Sequence, residues 1–289
     1  MIYLPHAIYS AINPVSLSAH IIIDLLAVLS AIIAMSLAAI RFIKKGTIWE
    51  APTIWLTVTG ISILIQLIFI DNNWLLRYTS YLVVMGLISI TIGLYDYLPQ
   101  NLSFNFTRGS WPRYLGLSLL ILLLFSPFAV RTYDISIVPQ STNDIYEQQH
   151  QMALFLREYY QGDSVAANDI GNINYFADIK CLDLVGLSSN DVAQLREKNA
   201  FNARELDNLT NKHHLKIAII YDQWYKGDIP SNWIKVGEWT TPHSVTLGNA
   251  TVTFYATSPE NAVELIQNLR SFSGKLPKDV KQSGMYTFE

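Results

Sequence analysis

SVAANDIGNINYFADIKCLDLVGL, Ser164 to Leu187, decides how the second half of this chain is read. A short apolar run ends in Asn168-Asp169, and Gly171 allows close backbone approach at the turn that follows. An aromatic pair, Tyr175 and Phe176, comes next, and a second apolar run, Cys181 to Leu187, encloses Asp183. That is strand, turn, strand. Working outward, HLKIAIIYDQ (214–223) reads as a third strand. SNDVAQLREKN (189–199) and NARELDNLTNK (202–212) are the helical sequence between. NWIKVGEWT and ATVTFYAT form a terminal strand pair, and SPENAVELIQNLRSF the last long helix, with Ser258 as cap and Pro259 at its first position. Upstream, Asp144 to Tyr160 places Ile145, Gln149, Met152, Leu156 and Tyr159 on one stripe of an amphipathic helix, with Ser141 or Asn143 as its cap. Alternating strands and helices predict a small α/β domain with a mostly parallel sheet. Ligands of such sheets bind beyond the carboxyl ends of the strands, where Asn168, Asp169 and Asp183 fall.

The first half is different. The whole chain of 289 residues is 51% hydrophobic and 15% charged, and most of the charge follows Arg131. Four segments have the apolar length of a membrane span: Leu17–Phe42, Thr53–Ile70, Leu75–Leu94 and Tyr114–Val130. The expected fold is therefore a membrane α-helical bundle of about four spans over residues 1–133, followed by an extracytoplasmic α/β domain over 134–289. Arg41, Lys44 and Lys45 after the first span, and Arg108 and Arg113 before the fourth, mark the cytoplasmic side. Everything after Arg131 then faces outward. The first span is too long, and lacks the charged leader, for a signal peptide.

Several groups could carry chemistry. His20 and Asp24, four apart on one helix face, are either an intramembrane functional pair or hydrogen-bonded groups near the outer end of the span. In DNNWLLRYTSYL (71–82), Asp71, Arg77 and Tyr78 meet the outer surface. Arg77 either snorkels to headgroups or binds the phosphate of a lipid-linked substrate with its planar fork. Asn168 and Asp169 either cap the following helical turn or, with Tyr175 and Asp183, form a sugar-recognition surface of carboxylate and amide beside an aromatic face. Asp183, inside an apolar strand, needs a partner in any case.

Other classes are excluded. The net charge of −3 comes with no basic stripe, so nucleic acid is not a partner. One cysteine, Cys181, rules out a disulfide framework and a cysteine-rich zinc site. There is no phosphate-binding Gly-x-x-x-x-Gly-Lys loop and no nucleophile elbow. His213-His214 and His243 have no companion at ligand spacing. No cofactor motif is evident, and a divalent metal is allowed but unsupported.

ANDIGNINYFADIKCLDLVGL behind an apolar helical region resembles the C-terminal part of bacterial polytopic membrane glycosyltransferases of the C-type fold, relatives of the protein mannosyltransferases and aminoarabinose transferases. The likeness rests on Asn168, Asp169, Gly171, Tyr175 and Phe176, then Asp183, Leu184, Gly186 and Leu187. Arg77 and Tyr78 in RYTSYLVVMGL match an Arg-Tyr-x-x-Pro segment, with Tyr81 in place of the proline. The resemblance implies a multi-pass protein of the bacterial inner membrane whose terminal domain lies on the periplasmic side. It further implies transfer of a sugar from a polyprenyl-phosphate donor to an extracytoplasmic acceptor. Arg77 and Tyr78 would hold the lipid phosphate, and Asn168, Asp169 and Tyr175 would line the acceptor side. In that family the acidic base sits in a long first outward loop, and Met1–Ser16 carries no Asp or Glu. Only Asp71 stands in as base, so the chain is expected to be inactive alone and to need an N-terminal partner chain. The alternative is a non-catalytic, membrane-anchored domain that binds a glycan or a protein.

Overall fold

The structure, a computed structural model, describes residues 14–69, 80–95 and 136–287, with isolated residues between 111 and 122. The chain divides into two compact units near Ile135. In the first, α1 (Pro14–Lys45), α2 (Ala51–Phe69) and α3 (Ser80–Leu94) are packed together. A stripe of small residues on α1 allows the close approach. Ala27 and Ala31 are buried with Ile63 and Leu82, and Ala34 and Ala38 with Leu56. Glycines continue it, since a Cβ at Gly60 would stand 2.7 Å from Met35 Cγ and one at Gly86 3.2 Å from Ser30 Cβ. The Ser89 and Thr59 hydroxyls pair at 2.9 Å in the buried seam.

The expectation of a four-span bundle is corrected here. Among the described residues one helix is long and apolar enough to cross a membrane: Ala27–Lys45, 19 residues, with only 22% of its apolar window buried. It lies near the N-terminus and has the composition of a membrane anchor or a signal sequence. The other apolar helices, Ala51–Gln66 and Val84–Gly93, are shorter. The proposed fourth span lies mostly outside the described residues.

The second unit is a sheet with helices on both faces. The helical run α4 (Val138–Ile145), a π turn (Tyr146–His150) and α5 (Gln151–Tyr159) leads into β1 (Ser164–Ala167). Then follow α6 (Gly171–Phe176), β2 (Lys180–Asp183), α7 (Asn190–Glu197), α8 (Ala203–His213) and β3 (Ile217–Ile220). A 3₁₀ turn at Asp222–Tyr225 precedes β4 (Ile234–Thr240) and β5 (Thr251–Ala256). Next come α9 (Pro259–Phe272) and β6 (Lys281–Gly284). The first helix starts earlier than its apolar stripe predicts, with Pro139 in its first turn and no side-chain cap from Ser141 or Asn143. Ser258 does cap α9, accepting from Asn261 N at 3.2 Å.

The strand order is β2-β1-β3-β5-β4-β6. Only β1–β2 and β1–β3 are parallel, and the other three pairings are antiparallel. The sheet is therefore mixed, which corrects the mostly parallel expectation. After β3 the chain passes to β4, which runs in the same direction one strand away, and β5 turns back between them to pair antiparallel with both. A bulge sets Val236 between Lys235 and Gly237, so Val236 and Trp239 are both buried in one core. Gly237 leaves room for the Tyr286 ring, which a Cβ would meet at 2.3 Å. One face of the sheet packs on α5 and α9 through Phe155, Phe254, Trp239 and Phe272. The opposite face packs on α7 and α8 through Val192, Leu206 and Leu209.

Candidate functional site

The connection after β1 runs through α6, whose Ile173 joins the first core. The turn after β3 places Tyr225 in the second core, on the other face. Adjacent parallel strands whose exits diverge to opposite faces open a crevice at their carboxyl ends, the usual ligand position in such sheets. Asn168 and Asp169 leave β1 there, and Tyr221 and Asp222 leave β3. Buried Asn168 bridges the two exits, its Oδ1 accepting from Tyr221 N at 2.7 Å.

The crevice is filled by the protein's own side chains. The Tyr221 hydroxyl lies 2.8 Å from Gln148 Oε1, to which it donates, and 3.3 Å from Asp169 Oδ2. Gln148, on the π turn, in turn donates to the carbonyls of Asn249 and Ala250 at 3.0 and 3.1 Å. This ties the β4–β5 loop over the strand ends. Gly248 presses on the rings beneath: a Cβ there would stand 2.6 Å from Trp224 and 3.1 Å from Tyr221. Asp144, fully buried one turn earlier, accepts from Val245 N at 2.7 Å and Thr246 N at 3.1 Å.

Asp169 is not a helix cap. The N-cap of α6 is Ile170, with no side-chain bond, and Asp169 Oδ2 instead accepts from Gln149 Nε2 as well as facing Tyr221. Burial raises its carboxyl above the usual aspartate range, and the Tyr221 bond opposes that in part. Burial and the Asp169 charge likewise push the Tyr221 phenol far up, so it stays a neutral donor. Outward from Asp169, Asn172 Nδ2 reaches Gln149 Oε1 at 3.4 Å. Tyr175, on the same side of α6 as Asn172, is 82% exposed.

Asp183 does not join this network. It is fully buried and serves its own loop: Oδ1 accepts from Val185 N at 2.9 Å and Oδ2 from Ser188 N at 2.8 Å. Its own N–H donates to Ser189 Oγ at 2.8 Å. Cys181, two residues before it, has its thiol pushed up to about 12 by burial and by the Asp183 charge, which leaves no thiolate for nucleophilic work. Asp71, Arg77 and Tyr78 lie outside the described residues.

The structure thus joins Asn168, Asp169 and, at the rim, Tyr175, and sets Asp183 apart. It adds Gln148, Gln149, Asn172 and Tyr221, which sequence reasoning did not select. Their signal was a run of polar residues, Glu147-Gln148-Gln149, where an amphipathic helix should bury apolar ones. The π turn explains it, since the extra residue turns this polar segment toward the strand ends, a frequent feature of functional sites. Among the described residues no group of three His, Cys, Asp or Glu side chains gathers as a metal site needs. A shallow depression of about 430 Å³ near the carboxyl end of α5 is lined by Leu154, Arg157, Phe272 and Lys275, away from this network.

Fold and site define a class: an α/β domain with a 2-1-3 switch point, preceded in sequence by an apolar helical unit. A family model described as a domain of unknown function (DUF8728) matches residues 142–255, from α4 through β5, which includes every residue of the network above. No curated protein and no solved structure matches the chain.

Proposed function

We propose that the α/β domain is a glycan-binding domain of a membrane glycosyltransferase-like protein, anchored through α1. It works on the acceptor side of transfer from a polyprenyl-phosphate sugar. The observation that carries this reading is the exposed Tyr175 ring beside the Asn172–Gln149–Asp169 row. An aromatic face offers its negative π surface to the C–H face of a sugar, and adjacent amide and carboxylate groups exchange hydrogen bonds with its hydroxyls.

A binding rather than catalytic role for the domain is supported by how its strand-end carboxylates are held. Asp183 accepts two backbone N–H groups, and Asp169 faces Gln149 and Tyr221, so neither is poised over open space as a base. The domain is placed on the periplasmic side of the bacterial inner membrane.

The test is saturation-transfer NMR on the full chain in detergent with mannose, glucose and N-acetylglucosamine. At least one sugar should bind, and Tyr175→Ala or Asp169→Ala should each weaken it about tenfold or more, the loss of one stacking or charge-assisted contact. Binding of none of them, or binding indifferent to both substitutions, overturns the proposal.

A further inference from the structure

The rim of the site is longer than one sugar. Four rings from two elements form a continuous row. Tyr146 stacks on His150 with centroids 5.7 Å apart at 24°. His150 meets the Phe176 ring edge-on at 4.9 Å and 83°. Phe176 meets Tyr175 at 4.7 Å and 81°. The two ends of the row are open, Tyr146 being 51% and Tyr175 82% exposed, while His150 and Phe176 are half-buried between them. Exposing two tyrosine faces at the ends of a self-supporting aromatic row costs hydrophobic burial that turning the rings inward would recover.

The row has a polar companion on the same two elements. Gln149 adjoins His150 on the π turn, and Asn172 is one helical turn before Phe176 on α6. Their 3.4 Å contact is long for a hydrogen bond, so a ligand hydroxyl replaces it at little loss. Meanwhile the crevice behind is occupied by Tyr221, Gln148 and the β4–β5 loop. The ligand surface is therefore an open row of rings beside the Gln149 and Asn172 amides, in front of a filled crevice.

We propose that this strip, from Tyr146 to Tyr175, binds a chain of linked pyranoses, one unit stacked on each terminal tyrosine and their hydroxyls facing Gln149 and Asn172. The inference rests on the glycan-binding reading above and adds the ligand class and the second stacking residue, Tyr146. The amides of Gln149 and Asn172, and rings with no lysine or arginine among them, favour an uncharged oligosaccharide over an acidic one.

The experiment compares mannose with mannotriose, glucose with maltotriose, and N-acetylglucosamine with chitotriose, on the full chain in detergent. For at least one pair the trisaccharide should bind roughly tenfold or more tighter, because the second contact is made intramolecularly. Tyr146→Ala should bring trisaccharide affinity down to that of the monosaccharide and leave the monosaccharide unchanged, whereas Tyr146→Phe should keep the gain. Tyr146 is half exposed, so the substitution leaves the fold intact, which a melting curve checks. If each trisaccharide binds no tighter than its monosaccharide, or the gain survives Tyr146→Ala, the strip is not a chain site, although the single-sugar reading at Tyr175 stands. If no sugar binds at all, both readings fall.

Discussion

Two aspartates at neighbouring strand ends have opposite characters, and each predicts a distinct mutant. Asp183 uses a separate oxygen for each of two backbone N–H groups. Asparagine has one acceptor oxygen, so Asp183→Asn leaves an amide NH₂ against an N–H donor. It should cost about 1–3 kcal/mol, and Asp183→Ala more, read as lowered denaturant midpoints. Asp169 is a carboxylate whose folded-state pKa is raised by burial. The native state then binds this proton more tightly than the unfolded chain, so the contribution of this group to stability falls as pH rises from its unfolded value of about 4 through the raised one. Asp169→Asn should remove that slope and melt at or above the wild type at pH 7, while weakening sugar binding. A variant that melts well below wild type at pH 7 would show that the charge is structurally required.

At the scale of elements, the β4–β5 loop depends on the helix that starts the domain. Asp144 and Gln148 hold it from the helical run, a hundred residues away in sequence. Asp144→Ala should cost about 3 kcal/mol, since it orphans two loop N–H groups. Hydrogen exchange should speed up first at Val245 and Thr246. Gly248→Val should be destabilising by about 1–3 kcal/mol through overpacking, because the Trp224 and Tyr221 rings beneath it are themselves packed. Unchanged exchange at the loop in Asp144→Ala would mean that the loop is held from elsewhere.

For the molecule as a whole, both sides of the sheet have their own buried core, so residues 136–289 should fold without the apolar helices, with one cooperative transition and protected amides in β1, β3 and β5. A fragment that stays unfolded in water would refute this. Reporter fusions after Gln140 should be active only outside the cytoplasm, and activity only inside would place the domain in the cytosol. The order of elements through β5 and α9, and the Ser258 cap, were legible in the sequence, because alternation, helical stripes and caps are written within a few neighbouring residues. The position of Asn168 and Asp169 at a strand exit followed in the same way. The end strand β6 was not legible, since Lys-Gln-Ser-Gly has no apolar alternation and pairs only because β4 offers an edge. Apolar composition overstated the spans, because it does not say where a helix ends. The antiparallel half of the sheet, the donors that satisfy Asp183, and the convergence of Gln148 and Gln149 on Tyr221 and Asp169 were decided by tertiary structure alone. Each depends on which distant backbone or side chain arrives to accept or donate a hydrogen bond, and no local pattern encodes that.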